Sequence, residues 1–275
     1  NDAPMRIDGI EYPGYYFPAY RSNRVREIAN SKNKWTRDEM KIIQNDVKSN
    51  RDVRLRNLIF NTIDLGKIKS ESPFYAEAVD ALAKWNGEYQ INEVGPTIYT
   101  SMVYHTLKLS MADELGEKQF EKFVNSIPLK SSIERIFMNE VSPWWDNLDT
   151  KDVIETRDQI FSEGLKLAIA DLKQYHGDDM KEWKWGKLHT LTHIHPIGRK
   201  EPFDKVFNVG PFAKNGGNEV IVKEGHNYSG HGPYKVSSGP AMRFLLDFAN
   251  IESTLSIIPT GQSGNVMSKH YADQS

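Results

Sequence analysis

The sequence has no cysteine, no long apolar run and no excess of positive charge. Without cysteine, its 275 residues form no disulfide, no thiolate metal site and no cysteine nucleophile. No stretch approaches the roughly 18 apolar residues that a membrane-spanning helix needs. Lys and Arg number 35 against 37 Asp and Glu, whereas nucleic-acid binders usually carry a basic excess or a basic face. We therefore expect no membrane span and no nucleic-acid partner.

The sequence also lacks an initiating Met and a signal peptide. It begins Asn1-Asp2-Ala3-Pro4, with neither the basic segment nor the apolar segment of a secretory signal. We expect it to be a processed or excised piece of a longer protein. With 39% hydrophobic and 26% charged residues, its composition is that of a globular protein.

Helical patterns dominate the first two-thirds of the chain. Thr36-x-x-Glu39 is a capping box that predicts a helix over 36–48, and Ser72-Pro73 predicts the start of another that Asn86-Gly87 ends. Residues 24–29 predict a short helical turn. Apolar spacing predicts further helices over 52–65, 96–115, 117–125, 131–137 and 152–175.

Strand patterns replace the helical ones after residue 177. Residues 183–195 alternate between apolar and polar and are predicted to form a strand, and 219–223 is predicted to form a second. The apolar runs 242–248 and 254–258 are predicted to form two buried strands. The Gly-, Asn- and Lys-rich region 200–238 is otherwise predicted to form long loops. Helices first and antiparallel strands last predict an α+β fold, with a helical portion at 31–177 and a strand-rich portion at 178–275.

The end of the chain, 239–274, carries the most specific pattern. Its two apolar runs flank an Asp247-Phe248-x-Asn250 corner and are followed by a turn, Gly261-Gln262-Ser263-Gly264-Asn265. His270-Tyr271, predicted to begin a helix, then precedes Asp273. This order resembles the end of the β subunit in the penicillin acylase family, which are N-terminal-nucleophile amidohydrolases. A simple β-hairpin with a glycine turn is the alternative.

Further motifs extend the resemblance to the whole chain. His189 with His195-Pro196-Ile197-Gly198 is similar to one family segment, and Gly210-Pro211-Phe212 before Asn215-Gly216-Gly217-Asn218 resembles its glycine-rich loop. At the front, Tyr12-Pro13-Gly14-Tyr15-Tyr16 and Tyr20-Arg21-x-x-Arg24-Val25 are similar to the family's active-site stretch.

The resemblance implies that the chain is part of an αββα sandwich. In this family the sandwich is built from an α and a β subunit, which autocatalytic cleavage of one precursor produces. The nucleophile is the first residue of the β subunit, and its own α-amine acts as the base. Asn1 has no nucleophilic oxygen, so the nucleophile is expected upstream and residues 1–275 are expected to be the distal part of the β subunit, inactive alone. The implied partners are the rest of both subunits and a small-molecule amide, and the implied location is periplasmic or secreted.

Two site roles follow from the resemblance, both in the active-site region 1–30. Asn1 matches the residue that donates its side-chain amide to the oxyanion, and Arg24 matches the cation that organises the nucleophile's amine. Alternatively, Asn1 is a loop residue and Arg24 a member of a surface ion pair. No cofactor is implied, and Gly14, Tyr15 and Tyr16 stand where some members carry a calcium-binding Asp, so no calcium ligand is expected here even if the complete protein binds calcium.

Three other patterns compete as candidate sites. His189, His193 and His195 share a face if 183–195 is a strand, an arrangement seen in metal sites, but no fourth ligand is recognisable. The glycine-rich stretch 210–217 lacks the spacing of a phosphate loop, and Ser263 lacks the Gly-x-Ser-x-Gly spacing of a nucleophile elbow.

The sequence thus leaves three functional hypotheses. The favoured one is an amidohydrolase that cleaves an N-acylated compound, such as a β-lactam with its side chain or an acyl-homoserine lactone. The second is a non-catalytic binding or scaffold domain that shares only the α+β fold. The third is a metal-dependent hydrolase built on the histidines at 189–195.

Overall fold

The structure, a computed structural model, describes Gly9 and residues 16–275. Its helices are α1 Tyr20–Ala29, α2 Arg37–Gln44, α3 Asn50–Thr62, α4 Leu65–Ser70, α5 Pro73–Lys84, α6 Gly95–Leu109, α7 Ala112–Leu115, α8 Glu117–Val124, α9 Ile127–Met138, α10 Arg157–His176, α11 Trp185–Leu188 and α12 Asp204–Phe207. Among these residues, no helix is both long enough and apolar enough to cross a membrane.

Six short strands form three separate antiparallel pairs in the last third of the chain. The strands are β1 Thr190–His193, β2 Val209–Ala213, β3 Gly225–His226, β4 Val236–Ser238, β5 Arg243–Leu245 and β6 Leu255–Ile257, paired β1–β2, β3–β4 and β5–β6. The α+β class, with helices first and antiparallel strands last, is confirmed. The sandwich remains a prediction, because the described strands form two-stranded sheets only.

Polar N-caps mark where several of the helices begin. Thr36 and Thr156 each complete a capping box, with Glu39 and Gln159 respectively, which satisfies backbone N–H groups that the first turn leaves free. The box at Thr36 was predicted. The box at Thr156 was not, and it starts α10 at Arg157, whereas the sequence pattern placed the start of that helix at 152.

The core is built on the crossing of α6 and α10. Nearly the whole of α6 is buried, and α10 presents Phe161, Leu165 and Ile169 to the core with no exposed surface. Gly164 of α10 lies against Thr106 of α6, so closely that a Cβ on the glycine would be 2.4 Å from the threonine Oγ1. The helix predicted over 96–115 is split, because α6 ends at Leu109 and α7 begins only at Ala112.

A buried ionic cluster ties α3 to this core. The Asp52 carboxylate accepts hydrogen bonds from the hydroxyls of Tyr89 at 2.8 Å and Tyr99 at 2.9 Å, and it pairs with Arg51 at 2.6 Å. Burial, reinforced by Asp52, raises the pKa of both tyrosines well above the usual value, so the hydroxyls remain donors. A second carboxylate, that of Glu219, lies 3.5 Å from Arg51. A charge buried this deeply is tolerated only when it is paired in this way.

The prediction of a strand over 183–195 is wrong for its first half. Residues Met180–Trp183 form a 3₁₀ turn and Trp185–Leu188 a short helix, and only Thr190–His193 is a strand. Trp185 is fully buried, and its indole Nε1 donates to the carbonyl of Gly216 at 3.0 Å. The alternating tryptophans therefore pack into the core from a helical turn and do not mark the two faces of a sheet.

The apolar run 219–223 also forms no strand. Val220 and Val222 are buried, but the Val222 N–H donates to the carbonyl of Asp46 at 3.1 Å, outside any sheet. Conversely, β2, β3 and β4 lie in the region predicted to be loops. The strands predicted over 242–248 and 254–258 are confirmed in shorter form as β5 and β6, whereas His270-Tyr271 lies in a turn and starts no helix.

The segment between β3 and β4 is held by side chains that reach its main chain. Its backbone carbonyls accept hydrogen bonds from three surrounding residues: Asn125 after α8 to Tyr228, Ser101 of α6 to Gly230 and His176 of α10 to His231. Lys130 of α9 holds the start of the segment, because it donates to the carbonyl of His226 at the end of β3. This irregular segment is therefore fixed to the helices without a β-ladder of its own.

Candidate functional site

Of the two predicted site residues, the structure places Arg24, while Asn1 lies outside the described residues. Arg24 is on α1, near the start of the described chain. Its side chain is 17% exposed, and the carboxylate that faces it, Asp46, is 13% exposed. The ion pair predicted as an alternative role for Arg24 therefore exists, but it is sheltered from solvent.

Two carboxylates engage the Arg24 guanidinium. Nε donates to Asp46 Oδ1 at 3.1 Å and Nη2 donates to Asp46 Oδ2 at 2.6 Å, the two-point geometry that matches a guanidinium to a carboxylate. On the other side, Nη1 donates to Glu27 Oε1 at 2.8 Å. The hydrogen bond to Asp46 raises the pKa of Arg24, and the bond from Arg24 lowers the pKa of Glu27, so Arg24 and Glu27 stay charged.

Each of the two carboxylates also accepts a hydrogen bond from a residue further along the chain. Asp46 comes directly after Asn45, the C-cap of α2, and its Oδ1 also accepts the Lys48 N–H at 3.3 Å. Glu27 Oε2 accepts the side-chain amide of Asn50, at the start of α3, at 2.7 Å. The position of the Arg24 charge is thus set by the ends of two helices.

A cavity of about 590 Å³ is lined by residues 191–194, 236–243 and 257–259. Arg243 in its wall donates to Asn45 Oδ1 at 3.1 Å, and the next residue along the chain is Asp46. His193 and Lys214 also line the cavity. Apolar and hydroxyl-bearing side chains form most of the rest of its wall, so it offers a partly apolar pocket with the cationic side chains of Lys214 and Arg243 in its wall.

Glu224 is the buried acid of this cavity, with a side chain about 4% exposed. Its Oε1 lies 3.9 Å from Arg243 Nη2, and its Oε2 has no hydrogen-bond partner within the described part of the chain. Burial raises the pKa of Glu224. Gly239 makes room for the carboxylate, since a Cβ there would be 2.4 Å from Oε2.

The three histidines of the competing metal hypothesis do not converge. His189 is buried, with Nδ1 2.8 Å from the carbonyl of Lys214 and Nε2 3.0 Å from that of Glu224. His193 lines the cavity, and His195 stacks on Phe207. Across residues 16–275 and Gly9, no group of three or more His, Asp or Glu side chains is arranged to hold a metal ion. The histidines act as separate structural groups.

The tail likewise offers no nucleophile arrangement. Ser263 Oγ accepts the N–H of Asn265 at 3.2 Å, which is the turn predicted from the glycines. His270 pairs with Asp273 at 2.7 Å on the exposed side of this turn, and its ring is not hydrogen-bonded to the Ser263 hydroxyl.

The sequence analysis proposed Arg24 as a site residue but predicted neither its counter-ion nor the charged residues of the cavity. Asp46, Glu224 and Arg243 belong to no motif, and each meets its partner across a long separation in the chain; Asp46 is 22 residues from Arg24. The one local signal was the position of Asp46 directly after the apolar stripe of α2.

Comparison with known proteins places the chain in a family. The family model described as penicillin amidase matches residues 1–275. Among curated proteins, the chain is similar to the acyl-homoserine lactone acylases QuiP of Pseudomonas fluorescens Pf-5 (26% identical over 202 residues), of Pseudomonas aeruginosa PAO1 (25% over 214) and of Pseudomonas syringae pv. tomato DC3000 (27% over 204).

In each case the match covers 72% of this chain and about a quarter of the relative, 24%, 25% and 24% respectively. The chain thus corresponds to a limited part of proteins that are much longer. Because the family model covers every residue of the sequence, the chain belongs to the penicillin amidase family.

Proposed function

We propose that the protein containing this chain hydrolyses the amide bond of N-acylated small molecules, with N-acyl-homoserine lactones as the first candidates. The observation that carries this proposal is the family match over residues 1–275. The names of the curated relatives support the choice of substrate. β-Lactams with an acylated amine are the second candidates within the same reaction.

The proposed reaction is acyl transfer to an N-terminal nucleophile upstream of Asn1, followed by hydrolysis. The nucleophile's oxygen attacks the amide carbonyl while its own α-amine takes the proton and passes it to the leaving amine; water then releases the acid. Asn1 donates its side-chain amide to the oxyanion. Arg24 places a fixed positive charge that lowers the pKa of the amine, so that it is unprotonated at neutral pH.

This function sets the place of the chain in a larger assembly. Residues 1–275 form the distal part of a β subunit, with 1–30 contributing to the active site, 31–177 the helical portion and 178–275 the strand-rich portion of an αββα sandwich. The partners are the rest of the β subunit and the α subunit of one precursor. The reaction needs no cofactor, and the location is periplasmic or secreted.

The test is made on the complete gene product. Mass spectrometry locates any internal cleavage, and chromatography measures homoserine lactone released from an N-acyl-homoserine lactone. We expect cleavage ahead of Ser, Thr or Cys upstream of Asn1, and a loss of about 10²–10³ in kcat for Asn1→Ala. Arg24→Lys is expected to impair turnover, because a lysine cannot keep the two-point contact with Asp46.

Arg54→Lys is the matched control for the arginine variant. Arg54 pairs with Glu134 at 2.7 Å through a side chain that is mostly exposed, so we expect its substitution to leave turnover unchanged. An uncleaved product without amidase activity would contradict the proposal and favour a non-catalytic binding or scaffold domain.

A further inference from the structure

We propose that Asp46 is a positioning residue for catalysis, which holds the Arg24 guanidinium in place and sets how much of its charge reaches the active site. This inference rests on the proposed function, because it concerns the amidase reaction in which Arg24 takes part. Nothing in the motifs of the sequence points to Asp46; its contacts in the folded chain do.

The geometry gives Asp46 the larger share in orienting Arg24. It contacts two nitrogens of the guanidinium, Nε and Nη2, whereas Glu27 contacts Nη1 alone. A two-point contact fixes the plane of the guanidinium as well as its distance, and a single contact leaves it free to rotate. Asp46 is also the more sheltered partner, at 13% exposed against 54% for Glu27.

Asp46 is itself anchored from three directions. Its Oδ1 accepts the Lys48 N–H, its backbone carbonyl accepts the Val222 N–H at 3.1 Å, and its neighbour Asn45 accepts a bond from Arg243. Arg243 in the cavity wall is thus connected to Arg24 through two adjacent residues, Asn45 and Asp46. This arrangement gives the carboxylate the rigidity that a supporting residue of an active site needs.

The charge balance predicts a second effect, on the pH profile. The charged groups around the Arg24 guanidinium are Asp46 and Glu27, with Lys48 beyond Glu27. Replacing Asp46 by Asn removes a sheltered negative charge and leaves the surroundings of Arg24 more positive. A more positive potential disfavours protonation of a nearby amine, so the pKa of the nucleophile's amine should fall.

The experiment measures kcat, KM and the pH dependence of kcat/KM in the complete protein for Asp46→Ala, Asp46→Asn and Glu27→Gln. We expect Asp46→Ala to lower kcat about 10-fold or more with little change in KM, because the guanidinium loses its orientation. Asp46→Asn should recover part of kcat, and the acidic limb of its profile should move to lower pH. Glu27→Gln should shift that limb less, since solvent screens its charge.

Asp80→Asn is the matched control. It breaks an exposed ion pair, with Lys69, in the helical portion, and we expect its kinetics and pH profile to equal those of the wild type. If Asp46→Ala does not fold, the pH profile of Asp46→Asn decides the question, because acid unfolding of a less stable variant would move the acidic limb to higher pH and not to lower pH.

Two outcomes separate this inference from the function on which it rests. Full activity and an unshifted profile in both Asp46 variants, beside an impaired Arg24→Lys, would overturn the role of Asp46 alone. A wild-type protein without amidase activity, or a fully active Arg24→Lys, would overturn the proposed function or the role of Arg24, and the inference with it.

Discussion

His226 shows how a single buried residue makes stability depend on pH. The ring is 2% exposed and is surrounded by aromatic residues, among them Trp185 and Tyr234. Its Nε2 lies 3.4 Å from the Asn218 amide, and its Nδ1 has no partner in the part of the chain that the structure describes. Burial, with a smaller contribution from His189, holds the pKa of His226 well below the usual value.

The sign of the pH effect follows from this lowered pKa. Below about pH 6.5 the unfolded chain binds a proton at this histidine that the folded chain does not, so the free energy of unfolding falls as the pH drops. We expect the loss between pH 7 and pH 5 to be smaller in His226→Gln than in the wild type, by up to about 1.4 kcal/mol per pH unit. Urea unfolding at both pH values measures it.

His270→Gln is the control for this prediction, because His270 is about half exposed and pairs with Asp273 in solvent. Its pH dependence should stay close to that of the wild type. An identical loss in the wild type and in His226→Gln would show that other groups cause the acid sensitivity.

At the scale of residues, the candidate site shows which roles can be predicted from nearby sequence and which depend on contacts between distant parts of the chain. Arg24 was identifiable because it sits in a short stretch of sequence with neighbours of characteristic type. Asp46 was not, since the contact that gives it a role arises only when the end of α2 folds back onto α1. Sequence reasoning recognises a charged residue in a motif, but it does not reveal which counter-ion the fold brings to it.

At the scale of elements, helices were predicted better than strands because their signals are local. The capping box at Thr36 and the Ser72-Pro73 start lie within one turn of the helix that they begin. The strand patterns depended on which neighbours would cover each face. At Trp185 and at Val222, core packing buried the apolar side chains without placing the backbone in a sheet.

The contact between α6 and α10 gives a prediction at the same scale. Gly164→Ala removes a glycine from a helix, which by itself stabilises by about 1 kcal/mol. The new Cβ would nevertheless be 2.4 Å from Thr106 Oγ1 and 3.1 Å from the Thr106 backbone. We expect a net loss of about 1–3 kcal/mol, measured by chemical unfolding.

A second substitution tests the cause of that loss. Thr106→Ala removes the Oγ1 that meets the new Cβ, so the double variant should regain part of the stability. Gly264→Ala, where a Cβ meets nothing within 4 Å, should change stability by less than about half a kcal/mol. Equal losses in the single and double variants would show that the backbone contact dominates.

At the scale of the whole molecule, the strand pair β5–β6 is poorly covered by the rest of the fold. Phe244 and Leu255 on its strands and Phe248 beyond them are exposed, although their types belong in a core. Within the described residues each strand pairs with one neighbouring strand only, and Gln44 of α2 donates its side-chain amide to the Phe244 carbonyl at 3.0 Å. The outer edges of the pair therefore have no strand partner and only partial cover from α2.

This exposure predicts that residues 1–275 expressed by themselves associate. We expect dimers or larger species by native mass spectrometry, and more monomer for Phe244→Lys, because a charge on an open strand pair opposes edge-to-edge pairing. Ile154→Lys, at an exposed apolar residue outside the strand-rich portion, should leave the distribution unchanged. A monomeric wild-type chain would contradict this prediction.

The attachment of the segment between β3 and β4 has a consequence for how the protein can vary. The anchoring side chains hydrogen-bond to peptide carbonyls, which every amino acid carries, so these hydrogen bonds do not depend on the identity of the residue that accepts them. Substitutions should therefore be tolerated at the exposed positions Asn227 and Lys235 more freely than at Ser101, Asn125, Lys130 and His176, whereas packing constrains the buried Tyr228 and Tyr234 and the closely packed Gly230. Substitutions at the exposed positions would change the surface of the protein there, while the path of the main chain stays the same.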